Sequence, residues 1–351
     1  MNLLFFQNCI SPHQIPYIRE CTKDSRINDV YLITPRIDYS TRKQMGWDNT
    51  NLIKNTTIKL LLKPTNQQIQ QLLKDNENMY CFFSGIRADQ DIFQWFKLSL
   101  NFQIKRYIIT EPPFTYKKPE WMHYIRFFIQ DYRFVKKIDG IFGIGDQAVK
   151  YYHNIYNKWK VFPFQYVTDT TQRMLPVPSG NIKLVFVGSL TPRKNVKFVL
   201  KALKENHNLK FTIIGDGIER KKLEKIAIKN HVDTTFMGTQ PMNLIPKLMQ
   251  QHDVLILPSL HDGYGAVVNE AMTLGLYVIV SNQCGAKSLI RNKEEGYIYK
   301  YNKIAELKKA IQFITHNITN IRKNTNKRIS QAQRIQGEAV AKYFINCILQ
   351  S

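Results

Sequence analysis

His261-Asp262-Gly263-Tyr264-Gly265, followed without a break by Ala266–Met272, decides how this chain folds. Two glycines flank an aromatic residue directly before a helical pattern. Just upstream, the apolar run Val254–Leu257 closes on Pro258-Ser259. A buried strand, a turn of glycine and polar residues and then a helix make one βα unit of a parallel sheet. The same punctuation recurs outward from this point. Lys183–Val187 ends at Gly188 ahead of a helix over Val196–Glu205, and Lys210–Ile214 ends at Gly215-Asp216-Gly217 ahead of a helix over Glu219–Lys229. Thr235–Met237 precedes Gly238, Pro246–Gln251 is helical, and Tyr277–Ser281 is a strand after the helix Gly265–Leu274. Open α/β sheets bind ligands beyond the carboxyl ends of their strands, so the chemistry is expected in these turns.

The first half carries the same alternation with weaker signals. Strands are expected at Asn2–Phe6, Val30–Ile33, Tyr80–Phe83, Arg106–Ile109 and Gly140–Ile144. Helices are expected from about Pro16, over Asn66–Lys74 and Asp91–Leu100, and as a longer one over Trp121–Lys137. Tyr166–Gly180 has turn residues and little periodicity, which reads as a linker. The tail 304–351 reads as two helices rich in Lys, Arg, Asn and Gln. With 351 residues, at roughly 150 per domain, two domains are the prior. The expected division is 1–168, a linker at 169–181, a second domain at 182–330, and a C-terminal helix at 331–351 that packs back on the first domain.

A content of 12% aromatic and 44% hydrophobic residues supports packed cores rather than a disordered chain. The net charge of +23 points to an anionic partner: nucleic acid, anionic lipid or a phosphorylated substrate. A Lys- and Asn-rich compositional bias is the alternative account of it. Cys9, Cys21, Cys81, Cys284 and Cys347 are odd in number and contain no C-x-x-C pair, so neither a disulfide framework nor a structural zinc site is expected. Met1–Ile10 is apolar but lacks a basic start and a cleavage site, and no run reaches the ~18 apolar residues that span a bilayer. The expectation is a cytoplasmic protein, at most peripheral on the inner face of the cell membrane.

Two turns carry chemistry. Gly263 and Gly265 let a backbone approach a ligand closely, and the amides that open the following helix suit a diphosphate. Glu270 sits on that helix in an apolar, small-residue run, where a carboxylate is costly without partners; ribose hydroxyls are suitable ones. In the other turn, Gly188-Ser189-Leu190-Thr191-Pro192-Arg193-Lys194-Asn195, two adjacent cations stand at a helix start. Arg193 as a fork and Lys194 as a point charge neutralise a diphosphate, although such a pair is often only a solvated face.

Pro258-Ser259-Leu260-His261-Asp262-Gly263-Tyr264-Gly265, then Glu270-Ala271-Met272 and Gly275, resembles the E-x7-E stretch of retaining GT-B glycosyltransferases of family 4. Gly188, Leu190 and Lys194 match that family's G-x-L-x-x-x-K element, and Gly215 and Gly238 fit in order. The resemblance covers roughly residues 182–300. It implies an α/β GT-B fold, with two Rossmann-like parallel-sheet domains facing a central cleft, and a donor site in the C-terminal half. It implies that Glu270 holds the ribose, that Lys194 and Arg193 contact the diphosphate, and that the backbone of Gly263, Tyr264 and Gly265 lies beside phosphates and sugar. Asp262 stands where the family has its first Glu, facing the transferred sugar, and is one methylene shorter. Ser189 replaces a frequent Arg, a charge that Arg193 supplies.

In the first half, Asn8–Gln14 follows the first strand, as the active-site loop does in GT-B acceptor domains. His13 is a candidate for contact with acceptor or phosphates, and Glu111, after another strand, for the acceptor hydroxyl. A purely structural hydrogen bond is the alternative for both. The implied reaction moves a sugar from a nucleotide-diphosphate sugar to an acceptor hydroxyl, with retention, in polysaccharide or glycolipid synthesis. Cations and amides stabilise the leaving diphosphate, and no metal or other cofactor is expected. Partners are the donor, an acceptor glycan or lipid-linked glycan, and an anionic membrane surface met by a basic-aromatic stretch that includes Lys117, Lys118, Trp121, Arg126, Phe127, Phe128 and Arg133; an ordinary amphipathic helix with its aromatics in the core is the alternative for that stretch. The rivals are a nucleotide-sugar 2-epimerase of the same fold, a basic nucleic-acid-binding protein and an inactive scaffold. No nucleic-acid platform or recognition helix is legible, so nucleic acid is not expected as a partner.

Overall fold

The computed structural model describes residues 1–39, 49, 51–75, 78–113, 118–169, 180–204, 206 and 208–350. They form two compact units, each treated by itself below. In chain order the first contains β1 (Asn2–Phe6), α1 (Ile15–Cys21), β2 (Asp29–Thr34), β3 (Lys59–Leu62), α2 (Asn66–Asp75), β4 (Met79–Ser84), α3 (Gln90–Ser99), β5 (Lys105–Thr110), α4 (Glu120–Gln130), β6 (Gly140–Ile144), α5 (Asp146–Ile155) and β7 (Lys160–Phe164). The second contains β8 (Ile182–Val187), α6 (Val196–Ala202), β9 (Leu209–Ile214), α7 (Arg220–Lys229), β10 (Thr234–Gly238), α8 (Ile245–Met249), β11 (Val254–Leu257), α9 (Val267–Thr273), β12 (Tyr277–Ser281), β13 (Gly296–Tyr299), α10 (Ile304–Lys323) and α11 (Thr325–Ala332). The last helix, α12 (Gly337–Leu349), returns to the first unit, while the second runs to Ile335.

Both sheets are parallel throughout. Their strand orders are β3-β2-β1-β4-β5-β6-β7 and β10-β9-β8-β11-β12-β13. These are doubly wound sheets, so the α/β reading of the sequence holds in both halves. Each order reverses once, between β1 and β4 and between β8 and β11. At such a switch point the loops diverge to opposite faces and leave a crevice at the carboxyl ends. The central strands are buried on both faces: every residue of β1, β11 and β12 is buried.

The first core is aromatic. Phe344 of α12 lies 4.7 Å from Phe142 and 4.8 Å from Phe82 between ring centroids, and also packs on Phe5 and Tyr17. The start of α12 meets α1 so closely that a Cβ at Gly337 would stand 2.9 Å from the Pro16 carbonyl oxygen. The C-terminal helix therefore completes the first unit's core.

Several boundaries differ from the sequence reading. Trp121–Lys137 is not one helix: α4 stops at Gln130, and a 3₁₀ turn follows over Tyr132–Lys137. The break at Asp131 is fixed by Arg87, whose guanidinium reaches its carboxylate, and it turns Phe134 and Val135 into the core. The tail has three helices instead of two. The chain bends at Asn324 because buried Arg328 donates to the Gly275 and Ile321 carbonyls and draws α11 back against the second unit. The edge strands β3, β7 and β13 lacked a clear signal. Pro163 within β7 is tolerated because an edge strand need not donate on both sides. Glu205, Lys117 and most of the linker read at 169–181 lie outside the described residues. No described helix is long and apolar enough to cross a membrane.

Candidate active site

The site assembles at the switch point of the second unit, where the turns after β8 and β11 meet. After β8 the chain is clamped by its neighbours. The Gly188 N–H donates to the Ile214 carbonyl at 2.9 Å, and the Leu190 N–H to the Asp216 carbonyl at 2.9 Å. The approach is backbone against backbone: a Cβ at Gly215 would lie 2.0 Å from the Gly188 oxygen. The Gly215 N–H in turn donates to the Gly238 carbonyl at 2.8 Å. Gly188, Gly215 and Gly238 thus lock three strand ends into one rigid floor.

That floor aims the cations. Pro192–Lys194 forms a single 3₁₀ turn, and Asn195 takes a left-handed conformation with φ of 54°. The Leu260 N–H donates to the Arg193 carbonyl at 2.8 Å, and the Arg193 guanidinium donates to the His261 carbonyl at 2.8 Å. Lys194 Nζ then reaches Asp262 Oδ2 at 2.6 Å, Arg193 stands 3.5 Å from Oδ1, and the Ser259 hydroxyl donates to Oδ2 at 3.2 Å. Asp262 is buried. Burial opposes its charge, but Lys194, with Arg193 and Ser259, outweighs it and holds the carboxyl below its ordinary range. Sequence reading placed Asp262 against a sugar and Lys194 against a diphosphate; the folded chain pairs them with each other.

Beyond Asp262 the backbone tightens again. The Asp262 N–H donates to the Gln283 carbonyl, and the Gly285 N–H donates to the Asp262 carbonyl. Gly265 has φ of 92°, and a Cβ there would come within 2.8 Å of Cys284 Sγ and 2.9 Å of Leu257 Cδ2. The Tyr264 ring is buried, so this residue offers the site only its backbone. The N–H groups of Gly265, Ala266 and Val267 make no hydrogen bond among the described residues. Glu270 follows on α9. Its carboxylate has no hydrogen bond among the described residues, and desolvation pushes its pKa up to about 7. The site thus holds a row of unused donors and one buried carboxylate that desolvation disfavours.

The first unit has its own cluster at the same end of its sheet. The Tyr166 hydroxyl donates to Glu111 Oε1 at 2.7 Å, and the Tyr166 ring lies 5.9 Å from the His13 ring. The Val167 N–H donates to the His13 carbonyl at 2.9 Å, which ties the loop after β1 to the segment after β7. The Asn8 N–H donates to Ser84 Oγ across the switch point at 3.2 Å. His13 and Glu111, chosen separately from sequence, thus share one neighbour. Sequence reading missed Tyr166, whose segment carries no periodicity or motif. It also missed Cys284 and Gly285, which fix the glycine turn from behind. Among the described residues no group of three His, Cys, Asp or Glu side chains is placed to hold a metal.

Residues 167–335 match the family model described as glycosyl transferases group 1. An uncharacterized glycosyltransferase of Methanocaldococcus jannaschii is 28% identical over 48% of this chain and 45% of its own length. The UDP-Gal:alpha-D-GlcNAc-diphosphoundecaprenol alpha-1,3-galactosyltransferase of Escherichia coli is 29% identical over 42% of this chain and 40% of its own. The match spans less than half the length of these curated relatives. Among solved structures, HepE of Anabaena in complex with UDP superposes with a TM-score of 0.73 at 14% identity, over 100% of both chains. That likeness bears out the fold, two Rossmann-like parallel-sheet units of GT-B type. The second unit, with its Lys194–Asp262 pair and glycine turn, falls within the part of the chain that is similar to the group 1 glycosyl transferases.

Proposed function

We propose that this chain is a hexosyltransferase that moves a sugar from a nucleotide-diphosphate sugar to an acceptor hydroxyl in polysaccharide or glycolipid synthesis. The second unit binds the donor and the first unit the acceptor. The observation that carries this reading is the pairing of Lys194 and Arg193 with Asp262 beside the unused amides of Gly265, Ala266 and Val267. As the glycosidic bond breaks, charge grows on the departing diphosphate. Lys194 and Arg193 exchange Asp262 for that charge, and the amides add fixed donors, so stabilisation increases along the reaction. Glu270 accepts from the ribose hydroxyls, which relieves its uncompensated burial. These cations replace a metal, and the transfer is of the family 4 type, with retention. UDP is the first donor base to try, since HepE was solved with UDP and the Escherichia coli relative is named for UDP-Gal. The first unit offers Glu111, Tyr166 and His13 to the acceptor hydroxyl.

A thermal-shift panel of UDP-, GDP- and ADP-sugars, followed by product analysis with the stabilising donor, tests this. Stabilisation by one base and transfer or slow hydrolysis that persists in EDTA are expected. A chain that binds no nucleotide sugar ends the proposal, and conversion of the donor into its 2-epimer replaces it with the epimerase reading.

A further inference from the structure

The helix α4 presents an apolar face that nothing among the described residues covers. Trp121, Ile125, Phe128 and Ile129 fall at i, i+4, i+7 and i+8, on one side of the helix. Their exposures are 61%, 49%, 50% and 78%, and Tyr132, just past the helix end, is 50% exposed. The helix does not need this face to fold. His123 and Phe127 on its opposite side are buried, and Phe127 packs edge-on against Trp159 at 5.8 Å. Isolated apolar residues on a surface need no explanation, but five in a continuous stripe do.

The charges around the stripe select its partner. Lys118, Arg126, Arg133, Lys136 and Lys137 are all exposed and flank or interrupt it along the chain. Of the nearby acids, Asp131 is paired with Arg87 and Asp139 with Lys105, which leaves Glu120. A second copy of this face would bring like charges together at the rim of the contact, which costs several kcal/mol. A surface that accepts an apolar stripe and attracts a cationic rim is an anionic bilayer. There aromatic side chains seat at the headgroup level and each Lys or Arg gains from the negative surface potential. We infer that α4 docks the first unit onto an anionic lipid leaflet, lying in the interface plane with Trp121, Ile125, Phe128 and Ile129 inserted. The docking surface is separate from the residues assigned to donor and acceptor, so it stands or falls independently of the proposed reaction.

Flotation with extruded vesicles tests it, using the full chain against phosphatidylglycerol-containing and pure phosphatidylcholine vesicles at low and high salt. Binding to the anionic vesicles that weakens in high salt is expected. Ile129→Ser combined with Trp121→Ser should lower partitioning by at least about tenfold, because two inserted side chains are lost. Arg126→Gln should lower it about fivefold at low salt and less at high salt. An unchanged melting temperature in each variant shows that the exposed face was altered without unfolding the chain. Absence of binding, equal binding to neutral vesicles, or a concentration-dependent dimer that the Ile129 variant abolishes would each overturn the inference.

Discussion

Replacing Glu270 with Gln separates the cost of this carboxylate from its use. Desolvation moves its pKa from 4.5 to about 7 in the folded chain. The folded state therefore holds a proton that the unfolded state releases between those values, and stability falls as pH rises through that window. The full difference corresponds to about 3 kcal/mol, all of it present above about pH 7 and absent below about pH 4. Glu270→Gln should thus be more stable than the natural chain at about pH 8, by a large part of that amount, and indistinguishable from it in acid. Nucleotide binding should show the opposite. If only the ionised carboxylate accepts from the ribose, UDP affinity should be about tenfold weaker near pH 6 than near pH 8, with a proton released on binding at the lower pH. Calorimetric titration of UDP in two buffers of different ionisation enthalpy reads that proton directly. The secondary phosphate ionisation of UDP lies in the same range, but it is common to both proteins, so the difference between natural chain and variant isolates Glu270. A variant that melts at the same temperature across this range, or that releases as many protons as the natural chain, would refute the assignment.

The remaining predictions concern the pair and the turn. Asp262→Asn leaves the largely enclosed Lys194 without its partner and should cost about 3 kcal/mol in a denaturant titration at neutral pH. Lys194→Met should cost a similar amount, and the double variant should recover about 1–3 kcal/mol of the sum, which a double-mutant cycle measures. Because the Asp262 carboxyl is held below its usual range, its stabilisation is present above about pH 4 and is lost as pH falls through the lowered pKa; the cost of Asp262→Asn should vanish in strong acid. Gly265→Ala meets both a left-handed φ of 92° and contacts of 2.8 and 2.9 Å, so it should destabilise by more than about 2 kcal/mol. Gly180→Ala, with nothing among the described residues within 4 Å of its Cβ, is the matched control and should be nearly neutral in the same melt.

What the sequence disclosed, and what it hid, follows from where each residue's partners lie. Central strands such as β1, β11 and β12 are buried on both faces and read as unbroken apolar runs. The edge strands β3 and β13 bury only part of theirs, so their residues alternate without a clean period and escaped notice. The candidate site residues stood out because glycine, cation and carboxylate each mark a turn. Their mutual roles could not, because the decisive contacts join residues far apart in the chain. Lys194 and Asp262 are 68 positions apart, and Tyr166 and Glu111 are 55 apart. No local pattern records such a pairing. For Asp262, its backbone is bonded on both sides, to Gln283 and to Gly285. A carboxylate only one methylene from so fixed a Cα has little reach, and within that reach stand Lys194, Arg193 and Ser259. The shorter acid therefore keeps the two cations in register, and in the proposed reaction a diphosphate takes its place. A Glu at this place would carry its carboxylate one methylene farther from the same anchored backbone.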